Sequence, residues 1–318
     1  MKKGVISLGE ALIDFIPVDQ TNTTYQKNPG GAPANVAVGL SRLGVKSVFL
    51  GKVGNDALGK FLKETLHYYG VDVSSMYLTD EAHTGLVLVT LAENGERSFE
   101  FYIKPSADLF LKDSEISEEI FEKSKIFHFG SITLTREPAK SATIKAIQLA
   151  KEKGLIVSFD PNLRLGLWQS KEQAREEIIS MLPAVDLLKI SEEELEFITG
   201  ENEINTGIQQ LKKYRIPLVF ITLGEKGSYT VVNDNIIHVP AMKVNAVDTT
   251  GAGDAFVSAI LYWLNEYEGE LMKITAEDAE KMARFASVSG GLAASIKGAM
   301  TALPTLKQVQ KILGNQHE

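Results

Sequence analysis

Between residues 126 and 222 the chain alternates short apolar runs with stretches of helical spacing. Ile126–Phe129, Leu155–Phe159, Leu187–Ile190 and Leu218–Thr222 read as strands. Ala139–Lys153, Lys171–Leu182, Glu192–Thr199 and Ile204–Tyr214 read as helices. Repeated βα units with short links imply a mainly parallel sheet covered by helices on both faces. The pattern begins earlier, with Val5–Leu8 and Ser47–Val53 as strands, Ala34–Leu43 as a helix stopping at Gly44, and Ala57–Tyr69 as a helix ending at Gly70. Three helices, Ala252–Glu266, Ala276–Ser295 and Thr305–Leu313, close the chain.

Two segments do not fit inside such a sandwich. Leu12–Pro17 alternates apolar and polar residues loosely, and Thr21–Asn28 is polar, like an exposed hairpin. Thr84–Ala92 and Arg97–Ile103 flank Glu93-Asn94-Gly95-Glu96, and Asn-Gly between two β-rich runs is a hairpin signal. These pieces predict a small separate sheet drawn from residues 10–30 and 84–104, suited to a substrate lid. Another hairpin is expected from Ser228–Val232 and Ile236–Val239. The expected fold class is α/β: a three-layer α/β/α sandwich in a single domain over residues 1–318, with a discontinuous β lid.

Composition removes several function classes. The chain has no cysteine, which excludes disulfides, zinc–thiolate sites and cysteine nucleophiles. Its net charge is −8 with no basic stripe, so no nucleic-acid partner is expected. Residues 1–10 start like a signal peptide, but Glu10 and Asp14 interrupt the apolar run too early. No apolar stretch approaches the roughly 18 residues of a membrane span, so a cytoplasmic protein with no membrane partner is expected. A P-loop, a dinucleotide glycine fingerprint and a Gly-x-Ser-x-Gly elbow are missing, and the five histidines show no metal-ligand spacing.

Asp248-Thr249-Thr250-Gly251-Ala252-Gly253-Asp254 leads directly into an apolar helix. A small-residue turn at a helix start points bare N–H groups outward, at the positive end of the dipole, and so suits an anion. Asp254 is a carboxylate inside that site, which suggests proton removal beside a developing phosphate charge. The bland alternative for Asp254 is a helix N-cap. Gly30 and Gly31, in Pro29-Gly30-Gly31-Ala32-Pro33-Ala34-Asn35, let a backbone lie close to a ligand. Asn35 offers a donor and an acceptor to sugar hydroxyls; the alternative is a turn entering a helix. Asp14, beyond the first strand, is either a polyol ligand or a solvated or capping residue. Ser191-Glu192-Glu193-Glu194 follows a strand; Glu194 is either a holder of waters around Mg²⁺ or part of an ordinary capped helix start. The glycine-bearing turn Thr222-Leu223-Gly224-Glu225-Lys226-Gly227 is either a passage under adenine or phosphate or an ordinary hairpin approach. In Asp160-Pro161-Asn162-Leu163-Arg164, Arg164 is either a bidentate clamp or a surface arginine.

Together these segments resemble the ribokinase-like, or PfkB, carbohydrate kinase family along the whole chain. Two motifs carry the resemblance: Gly30-Gly31-Ala32-Pro33-Ala34-Asn35-Val36-Ala37, continued by Gly44 and Gly54, and Asp248-Thr249-Thr250-Gly251-Ala252-Gly253-Asp254-Ala255-Phe256. The resemblance implies a β lid over the sugar, Asp254 as catalytic base, and Gly251, Ala252 and Gly253 as the anion hole. It implies sugar contacts from Asp14, Gly30, Gly31 and Asn35, and a nucleotide side comprising Lys189, Ser191, Thr222, Gly224, Gly227 and Ser287. It implies ATP and Mg²⁺, with Glu194 acting on the metal through water. It also implies K⁺ beside the anion hole, where Asp248, Thr250, Ala293, Ile296, Gly298 and Ala302 align, mostly through backbone oxygens. Two departures stand out: Ser191 replaces the family's asparagine before Glu194, and Ala302 replaces the serine of ribokinases.

Gly-Gly-Ala-Pro-Ala-Asn, Gly-Glu-Ala-Leu-Ile-Asp and Asp-Pro-Asn-Leu-Arg resemble the fructokinases within that family, most of all the bacterial ones. The expectation is therefore phosphoryl transfer from ATP to fructose. The nearest rivals are 2-keto-3-deoxygluconate kinase and ribokinase. A keto-acid substrate calls for a cationic clamp, with Arg97, Lys104 and Arg164 as candidates. Rivals of another class are a non-catalytic sugar or nucleotide sensor, opposed by intact Asp254, and a hydride-transferring oxidoreductase, opposed by the missing glycine fingerprint. The exposed edges of the lid sheet lead us to expect a homodimer.

Overall fold

The computed structural model describes residues 2–92 and 97–314. In chain order the strands are β1 (Val5–Leu8), β2 (Leu12–Pro17), β3 (Tyr25–Gly30), β4 (Ser47–Gly54), β5 (Met76–Thr79), β6 (Gly85–Leu91), β7 (Arg97–Phe101), β8 (Ile126–Phe129), β9 (Ile156–Phe159), β10 (Leu187–Ser191), β11 (Leu218–Thr222), β12 (Ser228–Val232) and β13 (Asn235–Val239). The helices are α1 (Ala32–Arg42), α2 (Ala57–Tyr68), α3 (Glu118–Lys123), α4 (Ala139–Glu152), α5 (Lys171–Met181), α6 (Glu192–Thr199), α7 (Ile204–Leu211), α8 (Ala252–Glu266), α9 (Ala276–Ala294) and α10 (Leu306–Gly314).

Nine strands form one sheet in the order β13-β12-β11-β10-β9-β8-β1-β4-β5. Pairing is parallel from β5 through β11 and antiparallel at the β11–β12–β13 end. The central strands are apolar at nearly every position because both faces are covered. Successive residues feed opposite layers: Val5, Ile126, Leu187 and Leu218 join the core under α1, α8 and α9. Ile6, Phe127, Leu188 and Val219 join the core on the other face, under α4, α5 and α6. Phe129 and Phe159 stack there with ring centroids 4.5 Å apart.

The second sheet has four strands in the order β3-β2-β6-β7. β2 pairs antiparallel with β3 (Leu12↔Gly30) and parallel with β6 (Leu12↔Gly85). β2 follows β1 after only Gly9–Ala11, and β3 runs into α1 through Gly31. The small sheet is thus tied to the large one beside the C-terminal ends of its central strands, where open α/β sheets receive ligands.

Three local expectations needed correction. β5 was missed because its Met-Tyr-Leu-Thr is short and half polar; its strand character comes from pairing with β4 (Gly51↔Met76). The six-residue α3 is too short to display a period. The helix expected through Tyr214 ends at Leu211 and tightens into a 3₁₀ turn, with Arg215 left-handed at φ 54°. The expected Asn94-Gly95 turn lies outside the described residues. No helix among the described residues is long and apolar enough to cross a membrane.

Candidate active site

Gly251 caps α8 in the left-handed region at φ 78°, which a side chain would strain. The Ala252 N–H turns back onto the Thr249 carbonyl at 3.2 Å, and the Gly251 carbonyl accepts from Ala255 at 2.8 Å. Among the described residues no backbone carbonyl accepts from the N–H groups of Gly253 or Asp254. These are first-turn donors, free for an external anion. A Cβ built on Gly253 would lie 3.6 Å from Lys189 Nζ, so an ammonium stands beside the same amides.

Asp254, 8% exposed, sits on the first turn of α8. Its Oδ2 accepts from Asn35 Nδ2 of α1 at 2.7 Å. Asn35 Oδ1 is buried with no partner, leaving an acceptor toward the same space. Burial pushes the Asp254 carboxyl up to about 6, and Asp160 adds to the rise. The Asn35 donation and the charges of Lys189 and Arg164 pull the other way. A base with that value is ionised at neutral pH and still basic enough to take a proton.

Asp14 on β2 faces the same cleft. A Cβ on Gly30 would lie 2.2 Å from Asp14 Oδ2, so a glycine there makes room for this carboxylate. Gly31 has φ +102°, and a Cβ on it would lie 2.5 Å from the Glu10 carbonyl oxygen. Burial raises Asp14 to about 7, with Arg164 opposing and Asp254 adding to the effect. Glu10 completes this wall and was not singled out from the sequence. It is 3% exposed; Oε1 accepts from the Ala32 N–H at 3.0 Å, and Oε2 is buried without a partner. Burial raises it to about 8. The only local trace was a carboxylate between Gly9 and Ala11 just past the first strand, a placement that a solvated glutamate shares.

Arg164 is exposed, and its charge acts on Glu10, Asp14 and Asp254 alike. Lys104 lines a neighbouring cavity of about 520 Å³, not the main cleft. Arg97 begins β7, and its side chain lies outside the described part of the structure.

Lys189 and Asp160 form a buried ion pair at 3.0 Å. Burial alone lowers the Lys189 ammonium, but Asp160, Glu194 and Asp254 outweigh it and leave it above the usual lysine value. Ser191 and Glu194 make a capping box: the Glu194 N–H donates to Ser191 Oγ at 3.2 Å, and the Ser191 N–H to Glu194 Oε2 at 2.8 Å. Glu194 Oε1 accepts from the Leu163 N–H at 2.8 Å. Asp248 is buried and braces two loops, accepting from the Thr250 N–H at 3.0 Å and the Gly298 N–H at 3.1 Å. The Ala293 carbonyl accepts from the Ile296 N–H at 3.2 Å, and the Ala302 N–H bonds the Ala299 carbonyl at 3.1 Å.

The structure brings Asp14, Gly31, Asn35, Arg164, Lys189, Ser191, Glu194, Thr250, Gly251, Gly253 and Asp254 to one cleft of about 1370 Å³. Thr222, Gly224, Gly227 and Ser287 do not line it. Thr222 bonds the Ile190 carbonyl at 3.4 Å, and Ser287 Oγ accepts from Met242 at 2.9 Å. Gly224 turns at φ 59°; Gly227 is needed for close packing, since a Cβ there would lie 2.1 Å from the Val239 carbonyl oxygen. Among the described residues no group of three or more His, Asp or Glu side chains is placed to hold a metal ion.

Residues 2–306 match the pfkB family carbohydrate kinase pattern. The chain belongs to the pfkB carbohydrate kinase family. This pfkB kinase, a sugar phosphotransferase, is 44% identical over 317 residues to the probable fructokinase-6, chloroplastic, of Arabidopsis thaliana, covering 97% of this chain and 82% of the relative. It superposes on a fructokinase double mutant from Vibrio cholerae O395, solved with fructose, ADP and a potassium ion, with a TM-score of 0.90 at 39% identity over 98% of this chain and 99% of the other. A fructokinase from Xylella fastidiosa with bound ATP gives a TM-score of 0.93 at 34% identity over the full length of both chains. The pfkB kinase therefore has the ribokinase-like α/β sandwich with a small separate sheet.

Proposed function

We propose that the protein is a fructokinase, transferring the γ-phosphoryl group of ATP to the primary hydroxyl of D-fructose to give ADP and fructose 6-phosphate. The observation that carries this reading is Asp254: a buried carboxylate with a raised pKa, held by Asn35 beside unspent helix-start amides. Two relatives that superpose over nearly the whole chain, from Vibrio cholerae and Xylella fastidiosa, are fructokinases, which supports this reading.

In this reading Asp14, Gly31 and Asn35 orient the sugar. Asp254 accepts the hydroxyl proton as the oxygen attacks the γ-phosphorus and the bond to the ADP oxygen breaks. The N–H groups of Gly253 and Asp254, with Lys189 beside them, face the charge that builds on the transferred group. Gly251 sets the turn that aims them. The small sheet covers the acceptor and keeps water from competing for the phosphoryl group.

Mg²⁺ carried by the nucleotide neutralises phosphate charge when bound. Glu194 fits it through water, since each of its oxygens accepts one N–H and keeps a lone pair. The buried Asp248 carboxylate and nearby carbonyls are hard oxygen donors of the kind K⁺ takes; Thr250, Ala293, Ile296, Gly298 and Ala302 complete that loop pair, with Ala302 able to offer only its backbone. Thr222, Gly224, Gly227 and Ser287 are assigned to the adenine side of the nucleotide.

A neutral sugar fits better than a keto-acid. The charge of Arg164 is already engaged with three carboxyl groups, Glu10, Asp14 and Asp254, so a substrate carboxylate gains little there. The test is a purified-protein screen of fructose, ribose and 2-keto-3-deoxygluconate with ATP, read as ADP formation. Fructose is expected to give the highest kcat/KM; turnover of the keto-acid without fructose turnover overturns the substrate assignment. Asp254→Asn should lower turnover by about two to four orders of magnitude with fold intact. A near-normal rate removes Asp254 from the chemistry.

A further inference from the structure

The loop after β9, Asp160-Pro161-Asn162-Leu163-Arg164, carries one of the two described arginines that line the cleft, the other being Arg175 of α5, but does not fix it through the arginine's own contacts. Among the described residues, the one hydrogen bond from the Arg164 guanidinium goes to the carbonyl of its neighbour Leu163, at 3.1 Å. Its placement therefore depends on its backbone. The Arg164 carbonyl accepts from the Leu167 N–H at 2.9 Å in the 3₁₀ turn that follows, and the rest of the loop has few holds. The Pro161 carbonyl accepts from Ser131 at 3.1 Å, and the Asn162 N–H, on a residue at φ 46°, makes a long bond to Asp160 Oδ1 at 3.3 Å. The firmest hold is the Leu163 N–H on Glu194 Oε1 at 2.8 Å, between positions 31 residues apart. Glu194 is itself held at both oxygens: buried, capping its own helix, with Oε2 on the Ser191 N–H.

The geometry points to Glu194 as a positioning residue for the sugar, acting through Leu163 and Arg164. This rests on the sugar-kinase reading above and deepens it. The carboxylate assigned to the metal's waters is also the tie on the loop of an arginine that lines the same cleft as Glu10, Asp14 and Asp254. The phosphate side and the acceptor side of the cleft thus share one rigid group. Because the two oxygens serve two N–H groups from different elements, a carboxamide cannot replace the carboxylate: its nitrogen presents hydrogens to one of those donors. Aspartate, one methylene shorter, keeps the charge and the helix cap but withdraws from Leu163.

The experiment measures fructose binding calorimetrically with neither nucleotide nor divalent cation present, so that no metal role contributes. The proteins are wild type, Glu194→Gln, Glu194→Asp, Arg164→Met and the Glu194→Asp/Arg164→Met pair, each checked for folding by thermal unfolding. Glu194→Asp is expected to weaken fructose binding about tenfold, the scale of one charge-assisted hydrogen bond, and Arg164→Met by a similar factor. The double variant should bind no more weakly than Arg164→Met alone, because both act on one interaction. A merely structural role would lower stability without this non-additivity. Glu194→Gln, if folded, should follow Glu194→Asp; if it does not fold, Glu194→Asp carries the test. Wild-type-like metal-free affinity in Glu194→Asp, or losses that multiply in the double variant, overturns the proposal. If the wild type turns over ribose rather than fructose, the substrate assignment fails separately, and the same titrations with ribose are judged by the same outcomes.

Discussion

Replacing Asn35 by leucine should move the pH at which this kinase switches on. Burial dominates the Asp254 carboxyl and holds it at about 6, while the Asn35 N–H at 2.7 Å stabilises the charged form. Leucine matches asparagine in size but donates nothing. A hydrogen bond to a charged group contributes roughly 1.5–3 kcal/mol, and one pKa unit corresponds to about 1.4 kcal/mol. The carboxyl should therefore rise by about 1–2 units, to between roughly 7 and 8. The sign follows directly, since losing a donor to the anion favours the protonated acid. The assay is kcat/KM for fructose from pH 5 to 9, with ADP quantified chromatographically so that no coupling enzyme imposes its own profile. The acidic limb reports the free enzyme's base. Its midpoint should lie near 6 in wild type and move up in Asn35→Leu. In the role proposed for it Asn35 also orients the sugar, so its replacement should lower the whole curve, but weaker sugar binding does not displace the limb. A midpoint that stays put or moves down would falsify the assignment of Asp254 as the ionising base.

Glu10 makes a stability prediction with a defined sign. Its folded-state value is raised from 4.5 to about 8, chiefly by burial, so the folded protein holds a proton that the unfolded chain releases. Stability from this group is fully present below about 4.5 and is lost as pH rises through 8, on the order of several kcal/mol at most. Urea unfolding of the sugar-free protein should show wild type weakening from pH 5.5 to 8.5 more than Glu10→Gln; parallel curves refute this. Asp160→Asn removes the ion-pair partner of the buried Lys189 and leaves only the more distant charges of Glu194 and Asp254 to support it, at a cost of up to about 3–5 kcal/mol. An unchanged denaturation midpoint would show that Lys189 is neutral or finds another partner.

Much of this molecule was readable from sequence, for identifiable reasons. The central strands announced themselves because burial on both faces favours nearly continuous apolar runs, as in Val5–Leu8 and Ile126–Phe129, interrupted only by the buried Ser7 and His128. The start of α8 was legible because a left-handed Gly251 followed by small residues leaves few alternatives. Asp14 and Arg164 could be named but not weighed, since their value lies in sharing one cleft. Glu10 escaped because nothing local distinguishes a buried carboxyl from a solvated one; its burial is made by α1, more than twenty positions on. The second duty of Glu194 was hidden for a related reason. Ser-Glu-Glu-Glu reads correctly as a capping box, and the extra bond to Leu163 belongs to a loop in a different βα unit.

The packing of α1 on α8 has a consequence for how the enzyme is born. Gly39 lacks a side chain where α8 presses closest, since a Cβ there would lie 2.5 Å from Ser258 Oγ. Asn35 and Asp254 stand 219 positions apart. On a translating ribosome the half that carries Asn35 emerges first and waits, with one face of α1 uncovered, until the helix that carries Asp254 is made. Closing so long a separation is slow compared with local folding. A nascent or truncated product ending before residue 252 carries all nine strands of the large sheet and still lacks Asp254, which makes turnover a stricter test of a finished chain than any measure of strand content.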